Sequence, residues 1–546
     1  MSRRTIRSGA LAALLTMVAV IAWASTAVAR PAHDSRAAGG TVTVALGTSS
    51  IDHMDPALWY YATTWTIADA TCTTLLRYPD ASGQAGTKLV PGLAALPTAS
   101  NGGKSWTFRW RSGATFSNGK PITTADMKYT FERALDPKLA GPAPYFFTDI
   151  VGVNAFEKGK TKHVSGIVAT STSLTFKLTG RSGSLPQRVS MKWLCPVPVG
   201  TAVKPIEDGS LPSTGPYMIK SYTPARELDL VRNPSYNAKL LGSRGKADEI
   251  KMPIGVDPQQ ALLKVKAGEI DTYIEPLLAG PANQALRDPS LKGRVFSYAE
   301  AGIHYIWMNN DVPPFDNVKV RQAVNYAIDR NQIAKIVGGF GVARPTDQIL
   351  PPTMAGWRDY HAYPLGGNLA KARQLMSQSG VATPVSLRVD CYDGDVKVGE
   401  VVQQELAKIG IRITLHIGPS STLDPVQDKR SNRVPMGMVQ GWTQDYPDPE
   451  DFFTPLLDPR LADQPGHKAR FDDKSAIPMF QRAFSLTGPA RFAAYQKLDE
   501  TIMRRWAPWV PLFNTNDVFV ISNKVTGFVF HPIYNRVNLS LLAPKS

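Results

Sequence analysis

Apolar residues along this chain recur with two different spacings, and the spacings take turns. Thr41-Val42-Thr43-Val44-Ala45-Leu46 sets β-branched residues at alternate positions, which predicts a strand. Trp106, Phe108 and Trp110 alternate in the same way. Phe116-Ser117-Asn118-Gly119-Lys120 then reads as a tight turn, with the Asn-Gly pair supplying positive φ angles. Thr124 opens a helix whose apolar face is Met127, Phe131, Ala134 and Leu135. A second helical face is built from Val320, Ala323, Val324, Ala327 and Ile328. Asp329 follows, three residues before Gln332, at the spacing of a capping box, and Gly338-Gly339 ends that turn. Val385 to Val389, Gly399 to Ile409 and Ile411 to Ile417 read as a β-α-β unit. Strands and helices alternate through most of the chain, with no internal repeat and no low-complexity tract, so the fold class is α/β with lobes that exchange segments.

A chain of 546 residues is too long for one hydrophobic core, and 43% apolar with 19% charged residues is ordinary globular composition. The formal charge of +16 raises nucleic acid as a partner. The basic residues are scattered, however, without the clustered patch such binding needs, so no nucleic acid is expected. Arg3, Arg4 and Arg7 precede an apolar stretch from Ala10 to Val28, and Ala27-Val28-Ala29 forms a small-x-small cleavage site. Residues 1–29 therefore read as a signal peptide, the alternative being an uncleaved anchor, and 30–40 as a flexible linker. Ser2-Arg3-Arg4 also permits twin-arginine export. No lipobox cysteine follows, and three cysteines (Cys72, Cys195, Cys391) allow at most one internal bridge.

Catalytic constellations fail one by one. Ser117-Asn118-Gly119-Lys120 fits S-x-x-K but sits in the expected turn, without the companion S-D-N and K-T-G elements of penicillin-recognising enzymes. Gly103-Lys104-Ser105 is half a P-loop whose earlier glycine is Thr98. No H-x-x-x-H or C-x-x-C pair offers a metal site. The acidic run Asp445 to Asp451 is stiffened by Pro447 and Pro449 and lacks the features of an EF-hand loop. No cofactor, metal or catalytic residue is expected.

Two features suit ligand binding. Trp59, Tyr60, Tyr61 and Trp65 put four aromatics in seven residues, either as a wall of a binding cleft or as a buried corner of core. Gly441-Trp442-Thr443-Gln444-Asp445-Tyr446 follows an apolar strand, Met436 to Val439. A carboxylate at the carboxyl end of a strand can meet a cationic ligand group in a crevice, the alternative being a surface turn or structural ion pair.

Taken in order, several short segments resemble the family 5 extracellular solute-binding proteins, the oligopeptide- and dipeptide-binding components of ABC importers. They include Met54-Asp55-Pro56, Leu89 to Ala94, Trp106 to Arg111 and Phe116 to Pro121. Thr214-Gly215-Pro216-Tyr217, Arg232 to Tyr236, Ala267 to Asp271, Val320 to Arg330, Trp442 to Pro449 and Pro508 to Leu512 continue the series. Each is weak alone; their order is specific. The resemblance implies a two-lobed fold, its cleft lying between lobes joined by hinge strands. Lobe I would comprise 41–80, 203–302 and 507–546, with a subdomain inserted at 81–202, and lobe II 303–506. It also implies an exported, non-enzymatic monomer that captures short peptides and hands them to the membrane permease subunits. Asp445 would pair with the ligand's α-ammonium, flanked by Trp442 and Tyr446, and with Trp59, Tyr60, Tyr61 and Trp65 contributing to the cleft. Cys72 and Cys195 fall in lobe I and its insert, so they are expected to form one disulfide, leaving Cys391 free; three buried thiols are the alternative. A family member taking an oligosaccharide, a nickel chelate or another cation stays open, as does, less readily, a penicillin-recognising hydrolase.

Overall fold

The computed structural model describes residues 39–48, 50–464 and 466–545, so the expected signal peptide and nearly all of the expected linker lie outside the described residues. The strand Thr41–Ala45 forms as its β-branched pattern predicts and becomes an inner strand of a five-stranded sheet. It runs parallel to Glu249–Pro253 and Thr272–Tyr273, and the antiparallel strands Glu227–Arg232 and Tyr217–Thr223 complete the sheet. Val42 and Val44 point into one apolar layer and Ala45 into the other, as a strand covered on both faces requires.

The second large sheet contains Val295–Ala299, Trp509–Val520, Gly302–Met308, Met436–Thr443, Val385–Tyr392 and Ile411–Gly418 in that order, with Ala343–Pro345 paired to Trp509–Val520. Along Gly302–Met308, Ile303, Tyr305 and Trp307 enter one core while Ile306 and Met308 enter the core on the opposite face. The predicted β-α-β unit is present as Val385–Tyr392, the helix Val396–Ala407 and Ile411–Gly418, with the two strands parallel. A smaller antiparallel sheet, Thr98–Ser100, Ser105–Arg109, Ser173–Lys177 and Ile167–Ala169, lies within the insert.

The helix expected from Thr124 spans Thr124–Ala134, opened by a capping box between Thr123 and Asp126. Arg133 near its end makes a buried two-pronged pair with Asp55 (2.8 and 2.6 Å), which ties the Met54-Asp55-Pro56 segment to the insert. Helix Ala62–Thr71 is shared: Trp65 and Ala68 pack in the insert's core, Ile67 and Ala70 in that of the five-stranded sheet. A disulfide joins Cys72, just past this helix, to Cys195 (Cα–Cα 5.7 Å), while Cys391 is free and buried.

Three local expectations need correction. In the turn at Phe116–Lys120 only Gly119 has positive φ (81°); Asn118 instead accepts the Lys120 N–H through its side chain. Asp329 caps the Arg330–Val337 helix through the Gln332 N–H, but the return bond to its own N–H comes from Glu405 rather than Gln332. Finally, the chain does not return to lobe I at 507. The first half of Trp509–Val520 pairs with Gly302–Met308 and Ala343–Pro345, and only its second half pairs with Val295–Ala299. Ile521 then bridges to Thr272 of the five-stranded sheet. One long strand thus carries the chain from one lobe to the other.

Candidate functional site

A cavity of about 890 Å³ opens where the carboxyl ends of strands from the two large sheets converge. Gly47 and Thr48 follow the strand Thr41–Ala45, Glu275 follows Thr272–Tyr273, and Trp442 to Asp445 end Met436–Thr443. This is where the topology of an open α/β sheet leaves a crevice.

The lobe I wall begins with Asp52. Its carboxylate accepts the N–H groups of Tyr60 (2.5 Å) and Tyr61 (2.9 Å) and the hydroxyl of Thr64, which fixes the start of helix Ala62–Thr71. Tyr60 and Tyr61 are exposed into the cavity at 44% and 52%. The Tyr60 ring stacks on Trp193 at 5.8 Å, so this exposed aromatic has a rigid backing. Trp65 reaches the cavity from the core, set edge-on to Trp193 and Tyr534. Trp59 does not line the cavity. It is buried, and its carbonyl accepts the indole N–H groups of Trp65 and Trp193, so it supports the wall from behind.

The lobe II wall depends on an irregularity. Pairing between Gly302–Met308 and Met436–Thr443 shifts between Tyr305/Gln440 and Trp307/Gly437, leaving one extra residue on the second strand. Val439 lies there with φ of +50°, a costly conformation for a β-branched residue. The bulge bends the strand. Beyond it the edge facing Val385–Tyr392 is unpaired, for that strand contacts it only at Gly437 and Met438. Residues 440–445 are carried into the cavity, with Trp442 and Asp445 among its lining.

Asp445 has no basic side chain within ion-pair distance among the described residues, and its Oδ2 is buried without a hydrogen-bond partner. Withdrawal from water pushes its carboxyl up to about 8. Its backbone N–H is held by Asp451 (2.7 Å), whose own carboxyl is raised well above the ordinary range by burial and then by the Asp445 charge. Two other acids of this run are ion-paired, Asp448 and Glu450 each meeting Arg491 at 2.7 Å, whereas the Oδ1 of Asp451 is buried without a partner. Tyr446 turns away from the cavity into the insert's core, edge-on to Phe146, and borders a separate hollow of about 570 Å³. The cavity therefore gathers Tyr60, Tyr61, Trp65, Trp442 and Asp445, and leaves Trp59 and Tyr446 in supporting positions.

Residues 88–463 match the family model described as bacterial extracellular solute-binding proteins, family 5 middle. The chain belongs to this family. As a family 5 solute-binding protein it is 27% identical over 473 residues to heme-binding protein A of Haemophilus influenzae, covering 82% of each chain. It is 24% identical to the probable D,D-dipeptide-binding periplasmic protein of Escherichia coli, over 89% of this chain and 90% of that one. Among solved structures, a clavulanic acid biosynthesis oligopeptide binding protein superposes with a TM-score of 0.86 at 24% identity, covering 94% of this chain and 96% of its own. A periplasmic binding protein of Helicobacter pylori in complex with the peptide STSA gives 0.74 at 20% identity, over 93% and 99%. The two-lobed α/β fold of this solute-binding protein is therefore shared with those structures. No helix among the described residues is long and apolar enough to cross a membrane.

Three residues that sequence reasoning missed also shape the cavity or its borders: Glu275, Arg536 and Asp52. Glu275 carries the same signal that singled out Asp445, an acid just past an apolar strand, but that strand is only two residues long.

Proposed function

We propose that this solute-binding protein is the exported receptor of an ABC importer, closing around short peptides and presenting them to membrane permease subunits, without hydrolysing them. The observation that carries this reading is Asp445. A carboxylate in a cleft, without a counter-cation and with one oxygen lacking a partner, is a receptor for an ammonium group. The unpaired strand edge beyond Val439 supports it, because an extended peptide backbone can add to such an edge while its side chains enter the remaining space. Exposed rings on the opposite wall offer contacts indifferent to side-chain identity.

Calorimetry with free and N-acetylated tripeptides tests this. Breaking a buried charge pair costs about 3–5 kcal/mol, so acetylation should weaken binding by hundreds- to thousands-fold. Asp445→Asn should do the same for the free peptide. Equal affinity for both forms would remove the reading's main support.

A further inference from the structure

The cavity lined by Asp445 holds a second carboxylate, Glu275, which follows a strand of the other large sheet. Glu275 lies at the carboxyl end of Thr272–Tyr273, where Ile274 is buried and Pro276 stiffens the turn. Two hydroxyls orient it: Ser50 Oγ and Thr63 Oγ1 (3.3 Å) both donate to its Oε1. Its Oε2 is buried and has no partner. No Lys, Arg or His among the described residues lies within ion-pair distance of it. Arg536, the cation on this wall, has its nearest carboxylate in Asp517, at 3.9 Å.

Hydroxyl donors keep a carboxylate in place but neutralise none of its charge. A group fixed this way and left without a cation is ready for one brought from outside. With Asp445 on lobe II and Glu275 on lobe I, a ligand bearing one positive charge satisfies one wall only. We infer that the preferred ligands are peptides with two cationic groups, the α-ammonium and a lysine or arginine side chain, and that Glu275 takes the second. This rests on the peptide reading above. It adds that lobe closure joins two charge pairs across the cleft, so a basic side chain selects among peptides through the closed state.

The test compares tripeptides of alanine carrying lysine at position one, two or three with the same peptides carrying norleucine, which keeps the aliphatic stem and removes the charge. Binding is measured by calorimetry on the wild-type full chain and on Glu275→Gln. At one position at least, lysine should bind about tenfold or more tightly than norleucine, the factor expected of a charge-assisted bond. In Glu275→Gln the ratio of lysine to norleucine affinity should collapse toward one. Absence of any lysine preference on the wild type overturns the inference without needing the variant to fold. A preference that survives in a folded Glu275→Gln overturns it as well. N-acetylated versions separate the two readings: if acetylation abolishes binding while lysine and norleucine are equivalent, Asp445 stands and only the role of Glu275 falls. If neither acetylation nor lysine matters, or no peptide binds, both fall.

Discussion

A buried carboxylate without a counter-charge is favoured as the neutral acid, and Asp445 shows both consequences of that. Its ordinary value near 3.8 is raised to about 8, so in the empty protein it holds a proton over most of that interval. Binding an ammonium requires the ionised form, so peptide binding should release a proton below about pH 8. Affinity should therefore climb between pH 6 and 8, by up to about tenfold per unit, and fall again as the peptide amine itself loses its charge. Stability moves the other way. Because the folded value lies above the unfolded one, the empty protein binds more protons than the unfolded chain from about pH 4 to 8 and loses stability as pH rises through that window. Asp445→Asn should consequently raise the melting temperature of the empty protein at pH 8 while abolishing peptide binding. Calorimetry in two buffers of different ionisation enthalpy, with melting curves at pH 5 and 8, checks both signs; a variant less stable than wild type at pH 8 would refute this account. The place of Asp445 on the cavity wall was legible in sequence because an acid past a strand end has a simple geometric meaning in α/β folds, whereas its pairing with an ammonium came only from the family resemblance. Trp59 and Tyr446 were not, because neighbours on a strand or turn point to opposite sides, and composition alone does not say which side faces ligand.

Longer elements were easier to read than the irregularities that give them function. The strand Thr41–Ala45, the helix Thr124–Ala134 and the parallel pair Val385–Tyr392 and Ile411–Gly418 follow from periodicity, since each buries a regular set of side chains. The bulge at Val439 does not follow from any local pattern. A valine held at positive φ goes against its own preference, and only pairing with Gly302–Met308 on one side imposes it. The Cys72–Cys195 bridge belongs to this scale too, because it fastens the end of helix Ala62–Thr71, which follows directly on Tyr60 and Tyr61 and carries Trp65, to the segment bearing Trp193. It spans 123 residues, for which chain-entropy reasoning gives about 5 kcal/mol of stabilisation. Cys72→Ala combined with Cys195→Ala should lower unfolding stability by up to that amount in denaturant titrations. Peptide mapping without reduction should meanwhile find Cys391 as the free thiol. If the double variant matches wild type, or Cys391 maps into a bridge, the fastening role assigned to this pair is wrong.

At the scale of the whole molecule, the arrangement that matters is the pair of crossings between lobes. One segment leads from Thr272–Tyr273 of the five-stranded sheet to Val295–Ala299 of the second large sheet, and the chain leaves that sheet again at the end of Trp509–Val520, where Ile521 bridges back to Thr272. The resemblance implied a boundary at 507, yet a strand can change partners along its length without any change in its own residues, and nothing local marks the switch. Two neighbouring chain segments crossing a boundary resist twisting apart but allow bending, which is the behaviour of a hinge. Contacts away from the hinge then set how often the cleft is closed. One of them lies outside the cavity that holds Asp445: Tyr145 of the insert donates its hydroxyl to the carbonyl of Pro455 (2.8 Å). Breaking it costs the closed form the net worth of one hydrogen bond, about 0.5–1.5 kcal/mol, while leaving every cavity residue in place. Where the empty protein is mainly open, that cost passes directly into apparent affinity, so Tyr145→Phe should weaken peptide binding by about two- to tenfold. Small-angle scattering should show the variant contracting less than wild type at subsaturating peptide and equally at saturation. The two readouts together separate a shifted equilibrium from a damaged site, since a damaged site would leave the saturated protein expanded. If affinity and contraction are both unchanged, closure is governed elsewhere, and the insert serves only to frame the lobe I wall.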